Sequence, residues 1–397
     1  MRRLVIGLML IVVACGPSQA HAPASPSVAT ATVTPGASPT PSSSGPLVFA
    51  VLEAKIAGSP VDWNTVAIVG LDGYARAKTT FTPMPVPNLG CMGAVLSQSA
   101  HVAAGKVYFA DGKGVVRSLS IQGQIIQVAT FPLTSRQQML SFAVSPDGSR
   151  LLGTVFTVPA KPNLGCNGSP APGYALDVYS ALAGGPSTLL YHQSLQTSPS
   201  NVLALSGWDA VGPVGTSPTV WASQGGGPGS ELGVAVRIDA ATGKVLRQFA
   251  PSSCRVWDSV QSGAFVCTLN PVPTSSDPYG PVSQPVSIRS AAGLEEWRFT
   301  VTSVNGANSP YLAPDEQHVV ICCNFGTASN WLVDRQGHQI LFKTGFYASG
   351  WLDAATVFGF SAQTASSPGV LSYIALNSPG SFVSMGFTGN VVGTVQS

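Results

Sequence analysis

The sequence predicts an all-β fold, and three observations support that prediction. Only 9% of the residues are Asp, Glu, Lys or Arg, whereas Gly and Pro number 43 and 32 among 397. Because an amphipathic helix needs a charged outer face, this composition disfavours helices. A tight turn ending in Gly recurs seven times, and the flanking segments alternate apolar and polar residues as half-buried strands do. A β-propeller of seven four-stranded blades accounts for all three observations.

The recurring turns define the length of the repeat. Their glycines are Gly73, Gly123, Gly184, Gly243, Gly293, Gly337 and Gly380. Successive glycines in this series lie 43 to 61 residues apart, which is the span of one four-stranded blade. A single repeat cannot bury its own apolar faces, so the repeats are expected to stack around an axis. The propeller is predicted to occupy residues 47–397.

The residues before the propeller are predicted to contain an export signal. Met1-Arg2-Arg3 precedes an apolar run from Leu4 to Val13, which is too short to span a bilayer. The sequence Val12-Val13-Ala14-Cys15 resembles the lipobox of bacterial lipoproteins. That resemblance implies a lipoprotein signal peptide at 1–14, cleavage before Cys15 and a diacylglycerol on the Cys15 sulfur. An ordinary signal peptide with an incidental cysteine is the alternative.

Residues 15–46 are predicted to be a disordered linker behind the lipidated cysteine. From Gly16 to Pro46 the chain is dominated by Ala, Pro, Ser, Thr and Gly and has no charged residue. Such a segment cannot bury enough apolar surface to fold. As a flexible coil it would average roughly 30 Å end to end. Signal and linker together predict a protein anchored by lipid to the cell membrane, on its extracytoplasmic face.

One turn carries a motif known from other propellers. Ser145-Pro146-Asp147-Gly148 places Pro second and Gly fourth in a type I turn between two strands. The motif resembles TolB-like and WD40-like propellers, whose blades often carry it between their first and second strands. Leu312–Val320 resembles it too, with Glu316 where the family has Gly. The resemblance implies a fold rather than a function.

The ends of the chain predict how the ring closes. The first blade shows only three strands, near 47–55, 63–71 and 75–82, whereas the last blade is complete by about Phe387. Asn390–Val395 is then left over. Because an unpaired strand edge is a liability, we expect this segment to supply the missing inner strand of the first blade.

Three segments share a Trp near an Asp: Ser206–Ala210, Arg255–Ser259 and Ser349–Ala354. Trp at corresponding places in several blades is expected to pack between sheets, since a large ring buries much apolar area. A ring of Trp side chains in a ligand funnel is the functional alternative.

The long irregular segments are predicted to share one face of the propeller. Four of them would join the second and third strands of a blade, and Thr82–Gly93 would join two blades; the four are Val158–Gly173, Ser223–Ser230, Asn270–Gln284 and Gln363–Gly369. Long loops on a rigid scaffold often carry function. The candidate binding residues on these loops are Asn88, Leu89, Asn163, Leu164, Asn167, Asp277 and Tyr279.

Six cysteines follow Cys15, and in an exported protein an even number favours disulfides. The loops Pro87–Gly93 and Pro162–Gly168 share the sequence Pro-Asn-Leu-Gly-Cys, so a Cys91-Cys166 disulfide would pin two loops together; a repeated binding loop is the alternative. Cys254 and Cys267 flank a short hairpin and are candidate partners across it. Cys322 and Cys323 could form a vicinal or a crossed pairing, and buried free thiols remain open for all six.

The sequence contains no recognisable catalytic or metal motif. It has no Gly-x-Ser-x-Gly elbow, no His-x-x-x-His pair and no paired-cysteine zinc spacing. We therefore predict no catalytic residue, metal or cofactor. With the signal arginines Arg2 and Arg3 removed, 17 basic residues balance 17 acidic ones, which argues against nucleic acid as a partner.

The favoured functional hypothesis is a monomeric binding or scaffold lipoprotein whose looped face engages a protein, a glycan or a small ligand. The alternative is an extracytoplasmic enzyme, either lyase-like or resembling quinone-dependent dehydrogenases. Ile238–Arg247 resembles one repeat of those dehydrogenase propellers, with Arg247 in place of their usual Trp. A purely structural cell-envelope protein is the third class.

Overall fold

A computed structural model of the protein describes residues 47–53, 64–85, 100–159, 173–195, 204–217, 234–248, 254–270, 272–274, 281–304, 309–322, 329–361 and 369–395. Every regular element in these ranges is a β-strand, and the 29 strands form seven antiparallel sheets. The predicted all-β propeller with seven blades is confirmed. The described part of the chain holds no helix that could cross a membrane.

Blade 1 joins the two ends of the chain. From the axis outwards, in positions A to D, it contains β29 (Gly389–Thr394), β1 (Val48–Glu53), β2 (Thr65–Gly70) and β3 (Ala75–Thr80). Strand β29 pairs antiparallel with β1, with Phe49 opposite Thr394 and Glu53 opposite Gly389. The predicted closure of the ring by the C-terminal segment is therefore confirmed.

Blades 2 to 4 follow in chain order, each with four consecutive strands. Blade 2 contains β4 (Ala100–Ala103), β5 (Lys106–Ala110), β6 (Val115–Ser120) and β7 (Ile125–Thr130). Blade 3 contains β8 (Gln138–Val144), β9 (Arg150–Thr157), β10 (Tyr174–Leu182) and β11 (Ser187–Leu195). Blade 4 contains β12 (Ala204–Trp208), β13 (Pro213–Ser217), β14 (Val234–Ile238) and β15 (Val245–Gln248).

Blades 5 to 7 complete the ring. Blade 5 contains β16 (Arg255–Ser259), β17 (Phe265–Thr268), β19 (Pro281–Arg289) and β20 (Glu295–Val304), with the short β18 (Val272–Pro273) added along β19. Blade 6 contains β21 (Ser309–Leu312), β22 (His318–Cys322), β23 (Ser329–Asp334) and β24 (Gln339–Thr344). Blade 7 contains β25 (Phe346–Asp353), β26 (Thr356–Ser361), β27 (Leu371–Ala375) and β28 (Val383–Ser384).

The seven glycines of the predicted repeat all lie in the turn between strands C and D of a blade. Six of them have a left-handed backbone, with φ from 70° at Gly243 to 84° at Gly337, a conformation that suits Gly because it has no Cβ. Gly380 lies in the longer turn of blade 7 and does not have this left-handed backbone. The same conformation recurs between strands A and B at Gly148 (φ 73°) and at Glu316 (φ 62°), so Glu316 takes the backbone role of the family's Gly.

The core is divided among the gaps between blades. Buried apolar side chains form seven clusters within the described residues, one for each pair of neighbouring blades. Stacking therefore buries both faces of every sheet, as the repeat predicts. In the gap between blades 4 and 5 the cluster includes a disulfide between Cys254 and Cys267, with Cα atoms 5.4 Å apart. This is the pairing that the short hairpin suggests.

Candidate functional site

The two faces of the ring differ in the lengths of their connections. The A-B and C-D turns share one face, here called the turn face, and contain two to seven residues each. The B-C and D-A connections share the other, here called the loop face. The loop face carries the longest connections of the chain, at 54–64, 81–99, 158–173, 218–233 and 269–280.

The predicted long segments fall in loop-face connections, with Gln363–Gly369 in the shorter connection 362–370, and one of them needs a correction. Asn270–Gln284 extends too far, because β19 already begins at Pro281. Its partner β20 is ten residues long and pairs with β19 back to Pro281, opposite Val304. The hairpin therefore projects beyond β17, and apolar periodicity alone does not reveal this extension.

The loop residues singled out from the sequence lie outside the described residues, as does the segment 1–46 with the predicted lipidation site Cys15. The loop residues concerned are Asn88, Leu89, Asn163, Leu164, Asn167, Asp277 and Tyr279. Cys91, Cys166 and Cys323 also lie outside. Cys322 forms a disulfide, and its partner is not among the described cysteines, because Cys254 and Cys267 bind each other. The loop-face assignments therefore remain predictions.

The turn face is held together by contacts between neighbouring A-B turns. The Ala104 amide donates to Pro146 O at 3.1 Å, and the Ala210 amide donates to Gln261 O at 2.9 Å. Ser262 Oγ donates to Glu316 Oε1 at 2.6 Å. These bonds link blade 2 to 3, blade 4 to 5 and blade 5 to 6, so the turns form a scaffold opposite the long connections.

Side chains also link the inner strands around the axis. Ser141 Oγ accepts the Leu205 amide at 2.9 Å and donates to Leu205 O at 3.1 Å. Trp351 Nε1 donates to Tyr311 O at 2.9 Å, and Thr394 Oγ1 donates to Leu352 O. The edge of each inner strand at the axis has no neighbouring strand in its own sheet. These hydrogen bonds provide partners for some of the backbone N–H and C=O groups on that edge.

The three Trp-containing segments all end strand A, but they do not superpose by sequence. A register shift falls at Ser206 in blade 4 and at Ser349 in blade 7, two residues before each Trp, whereas in blade 5 it falls at Trp257 itself. Trp208 and Trp351 pack against the clusters between blades, as predicted. Trp257 instead donates from Nε1 to Thr268 Oγ1 at 2.9 Å and lies under the Arg255 guanidinium, 4.4 Å from the ring centroid.

The carboxylates of these segments consequently have different roles. Asp209 is buried and pairs with Arg237 through two bonds of 2.8 Å. Asp353 accepts the Ala355 amide of its own turn at 2.8 Å. Asp258, displaced by the shift at Trp257, reaches the next blade and accepts the Leu312 amide at 3.1 Å, together with the Ser259 amide at 2.9 Å.

Asp258 is the most perturbed acid among the described residues. Burial raises the pKa of its carboxyl to about 7. The two backbone hydrogen bonds lower the pKa, but their effect is smaller than that of burial. In blade 6, burial together with the nearby Asp258 charge raises the pKa of Tyr311 to about 12. A carboxyl that titrates near neutrality beside the axis is a candidate functional group, because acid-base chemistry uses such values. We take Asp258 and Tyr311 as the candidate site of the described axis.

His101 on the inner strand β4 is a second, half-buried titratable group. Burial lowers the pKa of its ring to about 4, and a backbone hydrogen bond at Phe142 acts in the opposite direction. Its ring also meets Phe142 edge-on, with centroids 5.1 Å apart. A neutral, packed histidine fits a core role rather than a metal ligand, and the described residues contain no group of three potential ligands.

Replacing Asp258 with Asn should change the pH dependence of stability. The folded carboxyl keeps its proton up to about pH 7, whereas an unfolded one loses it near 3.8. The free energy of unfolding therefore falls as the pH rises from about 4 to 7 and then levels off. Asp258→Asn removes this loss, so at pH 8 the variant should be more stable than the parent by roughly 2 kcal/mol, with a much smaller difference at pH 4.5 in urea unfolding.

The matched control is Asp239→Asn. Bonds within its turn, first of all from the Ala241 amide, hold the pKa of Asp239 below its usual range, so this variant should lose stability equally at both pH values. His101 has the opposite effect on the pH dependence of stability, because its lowered pKa means that stability is lost as the pH falls from about 6.5 towards 4. This effect is the same in the parent and in both variants, so it cancels when each variant is compared with the parent. Parallel pH curves for parent and Asp258→Asn would contradict the raised pKa of this carboxyl.

The topology and the closed ring define the chain as a seven-bladed β-propeller. Neither the known family models nor the curated proteins include a match to this sequence. Among solved structures, the chain resembles an oligogalacturonate lyase in complex with manganese, with 11% identity, 83% of this chain and 90% of that chain covered, and a TM-score of 0.50. At this identity the likeness concerns the fold alone.

Two further solved structures are also similar to the chain. TolB from Agrobacterium tumefaciens shows 12% identity over 75% of this chain and 84% of that one, with a TM-score of 0.32. BamB from Moraxella catarrhalis shows 12% identity over 75% and 76% of the two chains, also with a TM-score of 0.32.

Proposed function

We propose that the protein is an extracytoplasmic, membrane-anchored lipoprotein whose propeller binds a protein, a glycan or a small ligand through its loop face. The observation that supports this most is the asymmetry of the ring. Short turns bonded to one another form one face, while connections of up to 19 residues (81–99) gather on the other. A rigid scaffold that displays long connections is a common design of binding proteins.

The anchoring part of the proposal depends on Cys15. Cells producing the full chain are fed a clickable fatty acid, and the protein is then purified and tested for label. The parent should be labelled and remain with the membrane, whereas Cys15→Ser should be unlabelled and released. Label on neither form, with equal fractionation, would contradict lipid anchoring.

The binding part is tested by photo-crosslinking from defined positions in producing cells. A photoreactive amino acid is placed at Asn163 or Tyr279, which are predicted to lie on the loop face, and at the exposed Gln122 or Gln336 in C-D turns as matched controls. The proposal predicts that a discrete adduct forms from the loop positions only and is identified by mass. The same adduct from the turn positions would contradict the assignment of the face.

An enzyme is the second candidate, favoured by the Asp258 carboxyl with its pKa of about 7 next to Tyr311. The lyase neighbour suggests oligogalacturonate as a probe. Turnover of this probe by the parent, lost in Asp258→Asn, would replace the binding proposal, whereas a binding protein would leave the probe intact.

A further inference from the structure

Every blade exposes at least one large apolar side chain at its C-D corner, on the outer rim of the turn face. In the first three blades these include Tyr74 (70% exposed), Ile126 (42%) and Leu182 (63%). Blades 4 to 6 contribute Leu246 (63%), Leu294 (71%) and Ile340 (59%), and blade 7 contributes Phe382 (37%). Single exposed apolar residues are ordinary, but a series that repeats at one corner of all seven blades is not a random scatter.

The apolar rim belongs to one side of the ring. Of the 15 large apolar side chains exposed within the described residues, twelve lie at the turn-face end of their blades. The other three, at the loop-face end, are Val272, Trp331 and Tyr347. The exposed apolar side chains therefore recur around the ring, at one corner of each blade.

Charged groups at the same corners are largely paired with one another. Asp72 binds Arg76, Glu295 binds Arg298 at 2.7 Å, and Asp334 binds His338 at 2.8 Å. The acidic side chains of the rim therefore have local partners, and no single sign of charge dominates. Contact through this face would rest on apolar burial rather than on electrostatic attraction.

The chain enters the propeller on this face. Strand β1 occupies position B, so its first residue lies at the turn-face end, where Val48 is opposite Gly70 and its carbonyl accepts the Val395 amide at 2.9 Å. Gly70 immediately precedes the C-D turn that contains Tyr74. The 32 residues from Cys15 to Pro46 thus connect the anchor to the side of the ring that carries the apolar rim.

From these observations we infer that the turn face docks on the lipid bilayer, with the rim side chains at the membrane interface and the loop face directed away. The inference deepens the proposed function and rests on its membrane anchor. Leu, Phe and Tyr are among the side chains that enter such interfaces. A tether of 32 residues keeps the propeller within roughly 30 Å of its membrane anchor on average. Because the local concentration of the membrane surface is then high, even a weak apolar contact would be populated.

Docking is tested on vesicles with a tether that does not need the native lipid. Residues 16–397 carry an N-terminal hexahistidine tag and are attached to phosphatidylcholine vesicles that contain a nickel-chelating lipid. An environment-sensitive fluorescent amino acid is placed at Leu246 or Leu294 on the rim. The matched control is Val272 at the loop-face end, which is 57% exposed.

Lipids brominated in the acyl chain should quench the probes at 246 and 294 and leave the probe at 272 unchanged, at both low and high salt. Quenching at 272 alone, or at none of the positions while the protein remains attached, would overturn the inference. A fluorescence change at 246 that needs no vesicles and grows with protein concentration would assign the rim to a second copy of the chain, and would overturn it as well. Because the tag replaces Cys15, this result is independent of whether lipidation is found in cells.

Discussion

Deletion of residues 389–397 is expected to lower the melting temperature by more than any other change considered for this protein. Strand β29 provides the inner strand of blade 1, and Val395 is only 2% exposed, within the cluster between blades 1 and 2. Without it, β1 loses its inner partner and the ring opens next to the first blade. Burial of a valine contributes about 1.5–3 kcal/mol and each ladder bond about 1, so a loss of about 5 kcal/mol or more is expected.

Deletion of 396–397 alone is the matched control, because these residues follow the last strand, and it should leave the melt unchanged. Thermal unfolding of both truncated chains, monitored by far-UV circular dichroism, makes the comparison. Equal melting temperatures for the long truncation and the intact chain would contradict closure by β29.

Asp209→Ala should produce the second large effect. The Asp209 and Arg237 side chains are 7% and 4% exposed, and Asp209 also accepts the Val211 and Gly212 amides at 2.8 and 3.0 Å. Truncation removes the carboxylate that binds both terminal nitrogens of a buried guanidinium. Breaking a buried pair from one side costs about 3–5 kcal/mol, measurable in urea unfolding.

Two comparisons isolate the pair. Asp353→Ala removes an acid at the end of another inner strand, which accepts one amide bond within its own turn, and should cost about 1 kcal/mol. The double variant Asp209→Leu, Arg237→Met replaces both charges with apolar groups and should be more stable than Asp209→Ala. If Asp209→Ala costs no more than Asp353→Ala, the buried pair is not a major contributor to stability.

The architecture was predictable because its determinants are local. Gly in a left-handed turn leaves a sequence signal, and seven such signals at blade spacing set the number of sheets. The closure followed by elimination, since three strands at the start and one at the end make a single blade. The hairpin between Cys254 and Cys267 is short enough for sequence to suggest its disulfide.

The axis was less predictable, because one shift of register changes which side chain faces it. The segment Arg255–Ser259 reads like its counterparts in blades 4 and 7, yet the irregularity at Trp257 moves Asp258 to the position that Gly207 and Gly350 occupy there. Neither composition nor spacing locates a bulge of this kind. The same limit applies to Tyr311, whose environment depends on contacts across blades.

The apolar rim also escaped sequence reasoning, for a different reason. Alternation in the outer strands indicates a half-buried sheet, but it does not say which end of the strand is left uncovered. In the sequence, nothing distinguishes the exposed residues at the start of an outer strand from other apolar strand residues. Only the stacking of the blades places them at an outer corner, as it does for Ile125, Ile126, Val245 and Leu246.

Hydrogen exchange of the intact chain, followed by mass spectrometry, tests the closed seven-bladed ring most directly. The ring predicts that the amides of 389–395 that bond to β1 exchange as slowly as those of 48–53, because the two strands share one ladder and open together. Exchange of 389–395 at the rate of an unstructured chain, with 48–53 still protected, would show that the C-terminal segment does not close the propeller.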